Sequence, residues 1–382
     1  MRILADITVG LTTLYGLMVL FFLIGMLIRR KGTGTANIRV SVVIAARNEA
    51  QNISTILNDL IHQSYDPTLY EVIVADDHST DATAAVVEAW AMSHPFIKLL
   101  KITDTPPRFS PKKYAIQQAV ELASGDIILA TDADCNVGSD WIKTMVSYFE
   151  ESVGFVIGFS QFGARGQQQN CIERLQAFDF VTLMGVAAGS TNLSLPLAAS
   201  GQNMGYRKSV FEQVGGYRRL AHRVSGDDVL LMQLVKGMTH CRIVFAADPR
   251  AYAVSQPQPT LRSLINQRKR WASNGAYQLF LNPIFFGYLL LVLLFNAACA
   301  VGPVAALITR EQFTTMLGCI AARVLLEAVI SYRSAIYFNR MDLMKYFPLW
   351  FLVQIPYIVG VGIAGTFGRF SWKERQHSAQ IK

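Results

Sequence analysis

The run ITVGLTTLYGLMVLFFLIGMLI, from Ile7 to Ile28, contains no charged residue and is followed at once by Arg29, Arg30 and Lys31. A helix needs about 20 consecutive apolar residues to cross the hydrocarbon of a bilayer, and this run supplies them. Basic residues beside a span are retained on the cytoplasmic side. The cluster therefore predicts an N-terminus outside and the following residues inside. A cleaved signal peptide is the rival reading, but the run is too long and has no small-residue cleavage site. Residues 1–31 are expected to be an anchor.

The rest of the composition agrees with a membrane protein. The 382 residues are 52% hydrophobic and 16% charged, with mean hydropathy +0.29, too apolar for an ordinary soluble enzyme. A net charge of +8 raises nucleic acid as a partner. However, the basic residues cluster beside apolar segments, and no zinc-finger, homeodomain or RNA-recognition pattern is present. No nucleic-acid partner is expected; anionic lipid headgroups and phosphorylated substrates account for the charge. Cys135, Cys171, Cys241, Cys299 and Cys319 are scattered with no C-x-x-C pair, so neither a zinc site nor a disulfide framework is indicated. That suits a reducing cytosolic compartment.

After the linker KGTGTAN the pattern changes to short β-rich runs alternating with helical ones. RVSVVIAA, YEVIVAD, FIKLLKI and GDIILATD predict strands, with helices at Glu49–His62, Asp81–Met92 and Lys112–Ala123 between them. Such alternation predicts an α/β fold with a parallel, doubly wound sheet. Ligands of these sheets bind beyond the carboxyl ends of the strands, which here carry Ala45 to Asn48, Asp76 and Asp77, and Asp132 to Asp134. A helix from Asp227 and a strand near CRIVFAA follow.

From Leu281 the chain is apolar again, in blocks at Leu281–Ile308, Thr314–Tyr332 and Tyr346–Phe367. Arg323 and Glu327 of the middle block must pair or face protein if they lie in a bilayer. Three full crossings would place the basic tail GRFSWKERQHSAQIK outside, against the charge rule. One block is therefore expected to be re-entrant or to count twice, with Asn296, Gly302 and Pro303 able to break the first. The boundaries are an anchor at 1–31, a soluble domain at 36–258, an amphipathic helix at 259–280, an apolar region at 281–367 and a tail at 368–382.

Four clusters carry chemistry. In TDADC, Asp132 and Asp134 project to the same side of an extended chain and can hold one hard divalent cation, Mg or Mn, that leaves positions for waters and phosphate oxygens. Asp and Asn also end strands and start turns without further purpose. In VADDHSTD, Asp76 and Asp77 end a strand, while Asp81, Ser79 or Thr80 could cap the next helix. In SGDDVLL, Asp227 and Asp228 begin a helix, either as caps or with one as a general base for an acceptor hydroxyl. In LINQRKRWASNG, Gln267, Arg270 and Trp271 lie on an amphipathic helix with Leu261, Leu264, Ile265 and Trp271 along one side. Such a helix suits a membrane interface, and its Arg offers a fixed fork for diphosphate.

Together these stretches resemble the membrane-bound family 2 inverting glycosyltransferases of GT-A fold, marked by D, DxD, (E/T)D and QxxRW. VADDHSTD, TDADC, GDDVLL and QRKRW occur in that order from Val40 to Trp271, and VSVVIAARNEAQNI looks like that family's first strand and turn. The resemblance implies a mixed, largely parallel sheet with N- and C-terminal transmembrane helices. It also implies a divalent metal, Mg or Mn, a nucleotide-diphosphate sugar donor, preferably a UDP-sugar, and a lipid or glycan acceptor.

By the same resemblance Ala45, Asn48 and Glu49 of the first turn, Asp77 and Lys113 bind the donor, with Asp77 at its base. Asp132 meets nucleotide or sugar and shares the metal with Asp134. Asp228 is the base. Arg270 binds diphosphate, while Asp227, Asn203, Gln267 and Trp271 serve the acceptor or product, with Arg207 a secondary candidate. His78 stands in place of the family's Gly in DDGS, Asp227 in place of Glu in ED, and Gln118 where Asn is common.

Two enzyme layouts remain open: one-sugar transfer to lipid, as in ceramide glucosyltransferase, and processive polysaccharide synthesis. A catalytically inactive scaffold is a third. The expected setting is an inner or plasma membrane with the catalytic domain cytosolic, and a homo-oligomer is allowed.

Overall fold

The computed structural model describes residues 1–34, 37–372 and 375–378. In chain order its elements are α1 (Arg2–Gly25), β1 (Val40–Ala46), α2 (Ile53–Ile61), β2 (Tyr70–Asp77), α3 (Thr83–Ser93), β3 (Ile97–Ile102), α4 (Pro111–Leu122), β4 (Ile127–Asp132), β5 (Cys135–Val137), α5 (Trp141–Ser147), β6 (Val153–Gly158), β7 (Ser160–Phe162) and α6 (Cys171–Asn192). They continue with β8 (Met204–Arg207), α7 (Lys208–Gln213), α8 (Val229–Met238), β9 (Arg242–Ala246), β10 (Ala253–Ser255), α9 (Leu261–Ala272), α10 (Gln278–Leu281), α11 (Pro283–Thr309), α12 (Phe313–Tyr337), α13 (Phe347–Phe367), β11 (Arg369–Trp372) and β12 (Arg375–Ser378). The chain divides into two compact units, Arg29–Ala164 with Thr191–Pro257, and Met1–Ile28 with Arg165–Ser190 and Gln258–Lys382. Arg165–Ser190, within the stretch 36–258 expected to be a single soluble domain, groups with the apolar helices.

The first unit is a GT-A fold built on a seven-stranded sheet of order β3-β2-β1-β4-β8-β6-β9. Its strands are near-continuous apolar runs because both faces are covered. Val40, Val42, Ile44 and Ala46 point to one face, where Ile56, Leu57 and Leu60 of α2 and Trp141 and Met145 of α5 complete a core. Strand β1 pairs in parallel with β2 and β4, and this register sets Ala46 beside Asp76 and Ala45 beside Asp132. The carboxyl ends of three strands are therefore level. β8 runs antiparallel to both β4 and β6, so the sheet is mixed rather than wholly parallel. A second, three-stranded sheet has the order β5-β10-β7.

The second unit holds four helices long and apolar enough to cross a membrane, at Arg2–Gly25, Pro283–Thr309, Phe313–Tyr337 and Met341–Phe367. The expected break in the first C-terminal block is absent: α11 is continuous through Asn296, Gly302 and Pro303. α12 continues five residues beyond the predicted Tyr332, since Ser334 returns its hydroxyl to the Ile330 carbonyl at 2.8 Å instead of ending the helix.

Arg323 and Glu327 of α12 are buried and hydrogen-bonded. Arg323 donates to Asn296 Oδ1 at 3.1 Å and to Gln354 Oε1 at 2.7 Å. Gln354 donates to Glu327 at 3.1 Å, and the Tyr15 hydroxyl donates to the other oxygen of Glu327 at 2.7 Å. One network thereby joins α1, α11, α12 and α13. β11 and β12 form an antiparallel hairpin; Lys373 and Glu374 of the FSWKER stretch and residues 379–382 of the predicted tail lie outside the described residues, as do Thr35 and Ala36 of the linker.

Candidate active site

The loops after β1 and β2 are laced together. Asn48, in the left-handed backbone region at φ 55°, donates its N–H to Ser79 Oγ at 2.9 Å, and its Oδ1 accepts from the Thr80 N–H at 2.8 Å. The Glu49 N–H reaches Thr83 Oγ1 at 2.8 Å. Asp76 is absorbed by this turn, accepting the Ser79 N–H at 3.2 Å. Asp77 is free of it: its carboxylate, almost wholly buried, meets Nδ1 of His78 at 2.9 Å. Two adjacent carboxylates at one strand end therefore have different work. Ala45, paired with Ala75 and Asp132, is a small residue at the same level.

The next carboxylates gather at the end of β4. Asp132 is its last residue, and Asp134 lies in the turn before β5. The expectation that both project from one extended strand is corrected, because the chain has already turned at Ala133. They are nonetheless electrostatic neighbours. Burial, then Asp132, then Glu49 push the Asp134 carboxyl up to about 7.

Lys112 bridges this group to the loop before α8, with Nζ 2.8 Å from Asp132 Oδ1 and 2.9 Å from Asp227 Oδ2. Burial opposes its charge, but the two carboxylates more than offset that and hold its pKa above the ordinary lysine value. Asp228 is the N-cap of α8, as the capping reading allowed. Its two oxygens accept the N–H groups of Val229 at 2.7 Å and Gly201 at 3.0 Å. Burial and the adjacent Asp227 raise its pKa against those two bonds. A carboxylate so placed is a stronger base than one in water.

Two sequence assignments change here. Lys113, expected at the donor, is wholly buried and donates to the carbonyls of Arg223 and Ser225 at 2.5 and 2.8 Å. Its amine holds the loop that carries Asp227 and Asp228, and burial brings its pKa down to about 7. The neighbouring Lys112 is the amine that meets the carboxylates. Helical spacing does not separate the two, because Ala115, Ile116 and Ala119 follow Lys112 at the same intervals as the buried Ile116, Gln117 and Val120 follow Lys113.

Asn203, expected at the acceptor, is also wholly buried. Its amide donates to the Phe159 and Ala251 carbonyls at 2.8 and 2.7 Å and accepts the Trp141 indole N–H at 3.0 Å. Both amide donors and one lone pair of the oxygen are thus engaged inside the protein. Arg207 binds the carbonyls of Phe149, Glu150 and Val153 and pairs with Ile127, at the opposite end of β4 from Asp132. Gln118 faces solvent, making a 2.9 Å bond to Glu121, whereas Gln117 bonds the Tyr217 N–H at 2.8 Å.

Among the described residues no group of three or more His, Cys, Asp or Glu side chains forms a ready metal cage. The donor set still fits a divalent cation held in part by substrate. Asp134 is a desolvated carboxylate whose pKa the negative charge of Asp132 raises further, a repulsion that a cation would reverse, and hard cations accept waters and phosphate oxygens in their remaining positions.

The QRKRW residues lie on α9 in the unit of the apolar helices. A capping box between Thr260 and Ser263 starts this helix. Leu264 is buried, while Leu261 and Ile265 remain exposed. The guanidinium of Arg268, which the sequence reading passed over, is 2.8 Å from Asp179 of α6 and stacks 4.2 Å from the Trp271 ring centroid. Phe180 packs on the same indole at 5.9 Å. Gln267 Oε1 is buried without a hydrogen-bond partner.

Residues 41–215 match the model of Glycosyl transferase family 2. That stretch, just under half of the chain, is similar to family 2 glycosyltransferases. Asp227, Asp228 and the QRKRW helix lie beyond the span matched by the family model. The Bacillus subtilis protein named Probable glycosyltransferase YdaM is 26% identical over 247 residues, 63% of this chain and 56% of its own length. The Beta-monoglucosyldiacylglycerol synthase of Nostoc sp. is 27% identical over 248 residues, 64% of this chain and 50% of its own. The chain thus spans about half the length of the curated relatives it matches. The solved mannosyltransferase PcManGT from Pyrobaculum calidifontis, in complex with GDP-Man and Mn2+, superposes with TM-score 0.62 at 20% identity, covering 95% of this chain and 98% of that one. That likeness shows the shared fold.

Proposed function

We propose that this protein is an inverting glycosyltransferase that moves a sugar from a nucleotide-diphosphate sugar, a UDP-sugar, to a hydroxyl of a lipid-linked or membrane-associated acceptor at the cytosolic face of an inner or plasma membrane. The observation that carries the reading is the meeting of Asp132, Asp227 and Lys112 at the end of β4, next to the raised carboxyls of Asp134 and Asp228. Such a concentration of buried like charge, neutralised by one lysine, suits a site that handles a charged diphosphate.

In this reading Asp77 accepts hydrogen bonds from the donor's base, and Ala45, Asn48 and Glu49 shape the loop around it. Asp134 and Asp132 hold a divalent cation, Mg or Mn, which supplies charge neutralisation for the leaving diphosphate when bound. Lys112 adds a fixed positive charge beside them, and the guanidinium of Arg270 carries a planar fork suited to diphosphate. Asp228 takes the proton from the acceptor hydroxyl as it attacks the anomeric carbon, so the configuration inverts in a single displacement. Trp271 offers the acceptor a flat apolar face, and Gln267 an unpaired carbonyl oxygen. The lipid acceptor is supported by four helices apolar enough to cross a membrane and by the printed name of the Nostoc relative, a glucosyldiacylglycerol synthase.

The test is an incubation of the purified full chain with radiolabelled UDP-sugars, Mn2+ and lipid extract, followed by sizing of the product. One sugar on lipid supports the reading. A long polymer would replace it with processive synthesis, and absence of transfer across donors would leave a scaffold.

A further inference from the structure

His78 stands directly after Asp77 in the left-handed backbone region, at φ 57°. Residues other than Gly adopt this conformation uncommonly, Asn, Asp and His more readily than the rest, and contacts nearby sustain it where it occurs. Here the imidazole ring sustains it. With its proton on Nδ1 the ring donates to Asp77 Oδ1 at 2.9 Å, while Nε2 lies 3.0 Å from the Thr103 carbonyl, an acceptor that only the doubly protonated ring bonds at the same time. Asp77 pairs across the sheet with Ile102, so the ring spans from the end of β2 to the residue following β3 and fixes the plane of the Asp77 carboxylate. The Asp77 carbonyl is held separately by Arg47 at 3.1 Å.

We propose that His78 sets the base preference of the site to uracil, by engaging one oxygen of Asp77 and leaving the other for the nucleotide. The proposal rests on the reading of Asp77 as the base contact. A free carboxylate matches guanine well, because the N1–H and N2–H donors lie side by side and pair with both oxygens. With Oδ1 committed to His78, guanine must displace the ring or leave a donor unpaired in a buried place, and buried unpaired donors are costly. Uracil presents a single donor, N3–H, which Oδ2 alone satisfies. Adenine and cytosine set a ring-nitrogen lone pair beside their amino group, which faces an acceptor-only carboxylate unfavourably. Base choice is thereby read from a residue beside the contact as well as from the contact itself.

The experiment is titration of the full-length protein in detergent with UDP and with GDP, in Mg2+, by calorimetry. The wild type is expected to bind UDP at least about tenfold tighter than GDP. His78→Gly, which relieves the backbone strain, is expected to bring the two within about threefold, mainly by tighter GDP binding. His78→Asn, also tolerated in the left-handed region, decides the matter if the glycine variant melts early. An unchanged ratio in the folded variants, or a wild type that prefers GDP, would overturn the proposal. Asp77→Asn separates the levels. If it weakens UDP while the His78 variants keep the ratio, only the role of His78 falls; if it leaves both affinities intact, the base-contact reading falls with it.

Discussion

Asp134 offers the most exposed test of the electrostatic account. Its carboxyl is pushed from the ordinary 3.8 up to about 7 by burial, by Asp132 and by Glu49. A folded-state pKa above the unfolded one means that the folded protein holds the proton more tightly. The associated stability is present below about pH 4 and lost as pH rises through about 7. The full interval corresponds to about 4 kcal/mol, and sharing of charge with Asp132 and Lys112 makes about 2 kcal/mol the lower expectation.

Asp134→Asn removes the charge at nearly constant shape. Without divalent metal the wild type should therefore melt several degrees lower at pH 8 than at pH 5, while the variant loses most of that difference and melts higher than the wild type at pH 8. Adding Mn2+ at pH 8 should raise the wild-type melting temperature and leave the variant nearly unmoved. Scanning fluorimetry in detergent with a chelator, then with excess Mn2+, gives all six melting temperatures. A variant less stable than the wild type at pH 8 in chelator would show that Asp134 is not a strained carboxylate.

Lys112→Met leaves Asp132 and Asp227 without their shared cation; UDP affinity should fall about tenfold or more by titration, whereas Lys113→Met should lower melting temperature by disturbing the Arg223–Ser225 loop. Asn203→Ala strands the Trp141 indole and two carbonyls, so denaturation should show a loss of about 2 to 4 kcal/mol, with normal turnover in the fraction that remains folded. In the apolar unit, Arg323→Leu should cost about 3 kcal/mol or more by leaving Glu327 and its partners without the cation. The double replacement with Glu327→Leu should recover much of that in a thermal denaturation cycle.

The order of elements was legible because near-continuous apolar strands alternate with amphipathic helices, a pattern set by burial on both faces. The strand ends followed to within about two residues, and with them the level of Ala45, Asp77 and Asp132. What the sequence could not convey was contact between distant loops. Nothing local distinguishes Asp76, tied down by the Ser79 N–H, from Asp77, which is free of that turn. Lys112 and Lys113 are adjacent and chemically identical, and only the phase of α4 separates a site lysine from a loop fastener. Asn203 lay in a motif and proved to be a buried peg, for its three partners lie 44 to 62 residues away. Pro303 was misleading for a different reason: in an apolar helix the loss of one hydrogen bond does not end the helix when no solvent competes for the chain.

The central claim is that Asp228 is the base of an inverting transfer, and single-turnover transfer by Asp228→Asn tests it most directly when paired with UDP titration of the same preparation. The asparagine keeps the shape of the cap and can still accept the Val229 or Gly201 N–H, so the fold and the donor site should persist. The account predicts UDP affinity within about threefold of wild type and sugar transfer reduced by about 100-fold to 10,000-fold. Transfer at the wild-type rate in the variant, with UDP binding intact, would contradict it.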